Sequence, residues 1–257
     1  MSFKKNLSYK AFSKSKFKSI KHSTYFEVYD ELFSNYRNKK ITFVEIGVLS
    51  GGSLFMWRKF FGPKARIIGI DLNPNAKKWI RHGFEIFIGD QSDINFWKLF
   101  KLKVGKIDII LDDGGHRYVD QITTIECIVK TINHNGLIVI EDTHTSYMNG
   151  FGNRKYSLIN YIKNRIDQIN YKSHKLNYAI SNPNIWSIKV YESIIAIFIK
   201  NKQTISAPIK NHGIDDHAKD FRVEQNKKNK KLFSKFLNKL KNFIREIKTN
   251  LIIKNYF

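Results

Sequence analysis

The chain has 257 residues, 42% of them hydrophobic, and carries 45 Lys and Arg against 22 Asp and Glu, a formal net charge of +23. That is enough apolar material for one sizeable α/β domain with a buried core. Three features narrow the class: a single cysteine, Cys127, which cannot form an internal disulfide and fits a reducing compartment; no apolar run approaching a membrane span; and a basic N-terminus, MSFKKNLSYKAFSKSKFKSIKH, without the apolar centre of a secretory signal.

A surface this basic attracts anions, whether nucleic acid, phosphorylated metabolites or an acidic membrane face. Much of the excess is lysine, in a chain also rich in asparagine and isoleucine, and the codon usage of an AT-rich genome produces the same bias. The expected location is the cytoplasm, or the periphery of the inner membrane face.

In chain order, residues 1–22 are polar and basic and read as loosely ordered. Over 25–38, Phe26, Tyr29, Leu32 and Phe33 share one helical face, and Tyr25 and Phe26 are candidates to cover a ligand. Strand and helix signals then alternate. ITFVEIGV reads as a first buried strand and SLFMWRKFF as a helix behind a glycine loop; ARIIGIDL is a second strand and FEIFIGD a third. INFWKLF is a short helix, KIDIILDD a fourth strand, VDQITTIECIVKTI a helix that buries Cys127, and GLIVIED a fifth strand, with a further helix around 155–169. IWSIKVYES and SIIAIFIKNK follow as an antiparallel hairpin meeting at Glu192 and Ser193.

Alternating strands and helices imply a parallel sheet covered on both faces. Ending in a hairpin, they follow the order of class I methyltransferases: a Rossmann-like, doubly wound α/β sheet, mostly parallel, with an antiparallel C-terminal strand. This domain is expected over 23–202, followed by a polar linker over 203–230. From 231 to 257 Phe233, Phe236, Leu237, Leu240, Phe243, Ile244, Ile247 and Leu251 recur at helical spacing among lysines and Arg245, a basic amphipathic helix. Such a tail suits packing within the protein, a sister subunit or an anionic membrane surface.

FVEIGVLSGGS, 43–53, sets Glu45, Gly47, Gly51, Gly52 and Ser53 at a strand-to-helix turn, where glycines let the backbone approach a ligand. An acid ahead of the first glycine repels a pyrophosphate and attracts an ammonium and a sulfonium, which favours S-adenosylmethionine (SAM) over a dinucleotide. Asp71, ending the second strand, suits ribose hydroxyls. Asp90 and Gln91, in GDQSD at the end of the third, lie where an adenine edge would be. Glu45, Gly47, Gly51, Ser53, Asp71, Asp90, Gln91 and Asp112 form the expected cofactor-binding set.

LDDGGHRYVDQ, 111–121, closes the fourth strand with two carboxylates, two glycines and a histidine. In a doubly wound sheet the fourth and fifth strands are neighbours, which brings Asp112 and Asp113 near Glu141 and Asp142. Four carboxylates in one corner repel each other, and a hard divalent cation, Mg²⁺ first and Mn²⁺ next, relieves the conflict. The competing reading makes both acid pairs helix caps. Successive strand residues also point to opposite faces, so Glu141 and Asp142 both reach a metal only if the strand has ended.

Together EIGVLSGGSLFMW, IIGIDLNP, GDQSD, LDDGGHRYVDQ and VIEDTHTSY resemble the metal-dependent sugar O-methyltransferases of macrolide biosynthesis and the related cephalosporin-hydroxylase-like proteins, over about residues 22–200. The chain departs from that pattern at Gly115, where the family usually has serine. The resemblance implies Asp113, Glu141 and Asp142 as metal ligands, His116 as catalytic base, Asp112 on the cofactor side, and an oligomeric assembly. A metal-bound sugar hydroxyl is more acidic and better oriented, and an imidazole can take its proton. His144 and Tyr147 are candidates for the acceptor pocket; His82, His134 and His212 read as surface residues.

The resemblance points to a sugar hydroxyl as acceptor. The basic surface favours a nucleotide-activated sugar or a capsular polysaccharide precursor over the alternative, a natural-product glycoside. A nucleic-acid methyltransferase is disfavoured, because the aromatics fall in apolar periodic stretches. A hydroxylase is disfavoured because the corner lacks the two-histidine, one-carboxylate set.

Overall fold

The computed structural model describes residues 2–170, 184–201, 209–214 and 221–254. It comprises two compact units, Met1–Ser206 and Ala207–Phe257.

The first unit is built on a seven-stranded sheet of β1 (Thr42–Ile46), β2 (Arg66–Asp71), β3 (Glu85–Ile88), β4 (Ile107–Asp112), β5 (Ile132–Ile140), β6 (Ile185–Tyr191) and β7 (Ile194–Ile199). Their order across the sheet is β3-β2-β1-β4-β5-β7-β6. β1 to β5 run parallel, and β7 inserts antiparallel between β5 and β6. This is the expected doubly wound architecture with its C-terminal hairpin. The strands read as continuous apolar runs because helices cover both faces. Phe43, Ile109, Leu111 and Val139 pack beneath α1 (Leu7–Ser13), α2 (Tyr25–Phe33) and α3 (Gly52–Phe61). Val44, Ile46, Ile110 and Ile138 face α4 (Ile94–Val104), α5 (Tyr118–Ile128) and α6 (Leu158–Asn170). Strand order reverses between β1 and β4, so the carboxyl ends of these strands open the crevice where such sheets bind ligands.

Residues 2–22 depart from the expectation of loose order. Ser2–Lys5 forms a 3₁₀ turn and α1 follows. The Asp30 carboxylate accepts from the Leu7 and Ser8 amides at 2.6 and 2.8 Å, and the Ser8 hydroxyl donates to the Phe26 carbonyl at 2.9 Å. Phe3, Tyr9 and Phe12 close around the Phe26 ring. The helix is capped from a distant residue, a signal that local composition does not carry. Residues 14–24 then cross the mouth of the crevice as an irregular strap.

In the second unit the helix starts well before residue 231: α7 spans Phe221–Lys254, taking in part of the expected linker, and 202–208 and 215–220 lie outside the described residues. Residues 221–230 contain no glycine or proline to stop a helix and four lysines or arginines that favour one. Among the described residues no helix is long and apolar enough to cross a membrane.

Candidate active site

A cavity of about 770 Å³ opens at the carboxyl ends of β1, β2, β3, β4 and β5. At the end of β1, Gly47 has φ +88°, and a Cβ there would sit 2.0 Å from the Asp113 carbonyl oxygen, so only glycine lets β1 and β4 leave the sheet this close together. Asp71, at the tip of β2, accepts from the Val48 and Leu49 amides at 2.9 and 3.0 Å and from Asn73 N at 2.8 Å, fixing the loop after β1. Asp90 accepts from the amide and hydroxyl of Ser92, which hold its carboxyl below the usual range. Gln91 ties the β3 and β4 loops together: its Oε1 accepts from Gly115 N at 2.9 Å and its Nε2 donates to the Asp112 carboxylate at 3.0 Å. Gly47, Asp71, Asp90 and Gln91 all line the cavity, beside Asp113, His116, Glu141 and Asp142.

Other expected cofactor residues lie elsewhere. Glu45 is fully buried on the face of β1 covered by α3, accepting from Ser53 Oγ at 2.7 Å and Trp57 Nε1 at 2.9 Å. Burial pushes its carboxyl up to about 7. Its strand position points it away from the loop that sequence places it in, and Ser53 turns inward with it. A side chain at Gly51 would strike the Trp79 ring, so that glycine serves packing. Asp112 is buried against Gln91 and the Gly114 amide, with its carboxyl pushed up by burial to about 6. His144 is exposed and pairs through Nδ1 with Ser193 Oγ; Tyr147 is 63% exposed, and neither lines the cavity.

The acid corner assembles as the topology implies. β4 and β5 are paired through Asp112 and Ile140, after which Glu141 N donates to the Asp112 carbonyl at 2.9 Å. β5 has ended by then, and Asp142 adopts a left-handed conformation at φ +53°, so both Glu141 and Asp142 turn toward Asp113. His116 is also left-handed, at φ +58°, which folds its ring back over the acids. Its Nε2 lies 3.5 Å from Asp142 Oδ2 and 4.0 Å from Asp113 Oδ1. Its Nδ1 is buried, with no hydrogen-bond partner among the described residues. Ligand atoms of Asp113, His116 and Asp142 all lie within 4.8 Å of one another. A side chain at Gly115 would meet Asp120 Oδ2 at 2.4 Å, and that carboxylate is itself held by Arg117 at 2.8 and 2.9 Å. A serine at this position would have to displace Asp120.

Three participants escaped sequence reading. Lys21, from the strap, places its ammonium 2.6 Å from Asp113 Oδ2 and 2.9 Å from Glu141 Oε2, with its side chain 1% exposed. Tyr29 donates its hydroxyl to Glu141 Oε1, and Arg117 lines the cavity. Tyr25, singled out as a cover, donates to Asp142 Oδ1 and lines the cavity, whereas Phe26 belongs to the core. Lys21 stays charged because Asp113 and Glu141 outweigh the burial that opposes it, while burial drives Glu141 upward.

Strand order, hairpin and cleft define a class I methyltransferase fold. Residues 44–143 match a family described as a methyltransferase domain. The chain is 36% identical over 135 residues to mycinamicin VI 2''-O-methyltransferase of Micromonospora griseorubida, covering 48% of this chain and 32% of that protein. It is 33% identical over 131 residues to demethylmacrocin O-methyltransferase of Streptomyces fradiae, covering 48% of this chain and 33% of that protein. The chain therefore spans about a third of the length of these curated relatives. Among solved structures, the MycE methyltransferase of the mycinamycin pathway in complex with Mg, SAH and mycinamycin VI superposes with a TM-score of 0.69 at 26% identity, covering 88% of this chain and 59% of that one. The same enzyme with Mg and SAH gives 0.66 at 28% identity, over 78% and 55%. The resemblance to the sugar O-methyltransferases of macrolide biosynthesis stands on sequence and fold alike.

Proposed function

We propose that the chain is a SAM-dependent, divalent-metal-assisted O-methyltransferase acting on a hydroxyl of a sugar carried by a natural-product glycoside. The observation that carries the reading is the corner of Asp113, Glu141 and Asp142 beside His116, opening into the cavity formed by the glycine turn, Asp71 and Asp90. The relatives named for glycoside substrates favour this acceptor over a nucleotide sugar or capsular precursor.

The donor set fits a hard cation: carboxylate oxygens of Asp113 and Asp142 lie within 4.8 Å of each other, beside the His116 imidazole, in a corner that already stabilises a buried ammonium. Asp113 and Asp142 would hold it, with Glu141 as a third ligand once its oxygen is free of the Lys21 ammonium. A bound Mg²⁺ or Mn²⁺ would supply Lewis acidity to an acceptor hydroxyl.

The chain's own residues account for the rest. Gly47 lets backbone approach the cofactor, Asp71 offers carboxylate lone pairs to ribose hydroxyls, and Asp90 with the Gln91-braced loop borders the adenine end. His116 Nε2 takes the hydroxyl proton as the methyl group transfers, and Asp142 Oδ2 stabilises the imidazolium that results. Tyr25 and Tyr29 keep Asp142 and Glu141 in place.

Incubation with methyl-labelled SAM and a panel of macrolide, tetracenomycin-type and nucleotide sugars, with and without chelator, tests this. Chelator-sensitive transfer to a glycoside is expected; transfer to nucleotide sugars alone, or transfer that ignores chelator, would overturn it.

Peripheral contact with an anionic membrane through α7 is a separate part of the proposal. Leu232, Phe233, Phe236, Leu237, Leu240, Phe243 and Ile244 share one face and are 39–66% exposed. Lys231 and Lys235 lie on the opposite side, Lys239 borders the face, and no acid occurs between Glu224 and Glu246. The dimer or larger oligomer implied by the resemblance is read directly by light scattering.

A further inference from the structure

We propose that Lys21 is the resident cation of the acid corner, and that a divalent ion enters by displacing its ammonium and lifting the strap of residues 14–24. This rests on the metal reading above and says what that ion must do to bind.

The corner has one set of oxygens and two claimants. With Lys21 in place, Glu141 has one oxygen on the ammonium and the other on the Tyr29 hydroxyl, and Asp113 gives Oδ2 to the same ammonium. Asp142 Oδ1 is taken by Tyr25. The oxygens left are Asp113 Oδ1 and Asp142 Oδ2, both turned to His116. Two carboxylate oxygens can hold a Mg²⁺ that keeps its waters, but Glu141 stays closed to it. The ion would also lie within a few ångströms of the Lys21 ammonium, whose side chain is 1% exposed, so the repulsion is only partly screened. Displacing Lys21 removes that repulsion and frees Glu141.

Lifting the strap breaks no helix or strand. It has no regular secondary structure between α1 and α2 apart from turns. Besides the Lys21 ion pairs, its anchors are Ser15 Oγ, which donates to the Gly52 carbonyl at 2.7 Å, Phe17, which packs on Phe55, Trp79 and His82, and His22, whose Nε2 lies 3.9 Å from Asp142 Oδ1. It lies flat on the first turn of α3 because residue 52 has no side chain. A Cβ at Gly52 would be 2.3 Å from the Lys18 carbonyl oxygen and 2.4 Å from that of Phe17. Ile20, Lys21 and His22 form part of the cavity wall, so an ion that lifts Lys21 also remodels the cofactor cavity. Without metal, the ammonium keeps three acids from facing each other uncompensated.

Two substitutions on different elements reach the same state. Lys21→Met removes the claimant, while Gly52→Ala keeps its charge but lifts the strap that carries it. Mn²⁺ binding, read by electron paramagnetic resonance on the full chain, is expected to tighten at least about tenfold in both. In the unsubstituted protein, Mg²⁺ is expected to speed tryptic cleavage at Lys16, Lys18 and Lys21. Lys21→Met binding Mn²⁺ no more tightly than the parent, or strap cleavage indifferent to Mg²⁺, would overturn the inference and leave the metal site standing. Failure of all three proteins to bind Mn²⁺ would remove the metal reading itself.

Discussion

Glu45 makes a buried charge measurable. Its carboxyl is fully buried, and burial raises it from 4.5 to about 7, against the opposing pull of Lys21, Ser53 and Trp57. The folded chain therefore binds this proton more tightly than the unfolded chain. Stability falls as pH rises from about 4.5 to about 7 and is level above. With those two values, the loss between pH 5 and pH 8 is about 2.5 kcal/mol, at about 1.4 kcal/mol for each pH unit of separation. Glu45→Gln keeps the shape and the partners Ser53 and Trp57 and removes the titration. Thermal unfolding of parent and variant at half-unit intervals over this range tests the argument. Relative to the parent, the variant should gain roughly 5–10 °C between pH 5 and pH 8, at about 2–4 °C per kcal/mol for a domain of this size. Parallel curves would show that Glu45 is already ionised in the folded chain and would refute the reasoning.

Other perturbations separate the parts of the site. His116→Ala is expected to lower turnover by about 10²–10⁴-fold and to leave SAM binding intact by calorimetry; undiminished turnover would take the imidazole out of the mechanism. Gly47→Ala, forced into a left-handed conformation and against the Asp113 carbonyl, should lose at least about 2 kcal/mol of stability, along with SAM affinity, in denaturant titrations. The chain should sediment with phosphatidylglycerol vesicles and not with phosphatidylcholine vesicles, and Phe233→Ser with Phe236→Ser should abolish this. Retention by the double variant would assign the contact to charge alone.

The sheet was legible because its strands carry continuous apolar runs bounded by glycine and acid, and because each helix between them keeps its period. Asp113, Glu141, Asp142 and His116 were legible for a related reason: polar residues closing an apolar strand have few structural uses, and neighbouring strand tips must meet. Glu45 shows the limit. A strand alternates faces, and sequence alone does not say whether its acid looks toward the ligand loop or, as here, toward Trp57. Lys21 marks another. It meets Asp113 and Glu141 across 92 and 120 residues, and in a segment crowded with lysines nothing local distinguishes the one that is buried. The helix of residues 7–13 was hidden in the same way, since its cap comes from Asp30.

Ser193, in the tight turn between β6 and β7, reaches back to bond Tyr25 and His144, and its carbonyl accepts from Thr143 N at 3.1 Å. Synthesis runs from the N-terminus, so the strands that carry the acids emerge before this turn does. Until β7 arrives, β5 is a bare sheet edge, and the anionic corner beside it lacks its last brace. The corner thus gains its last brace only after the β6–β7 turn has formed, later in synthesis than the strands that carry its acids.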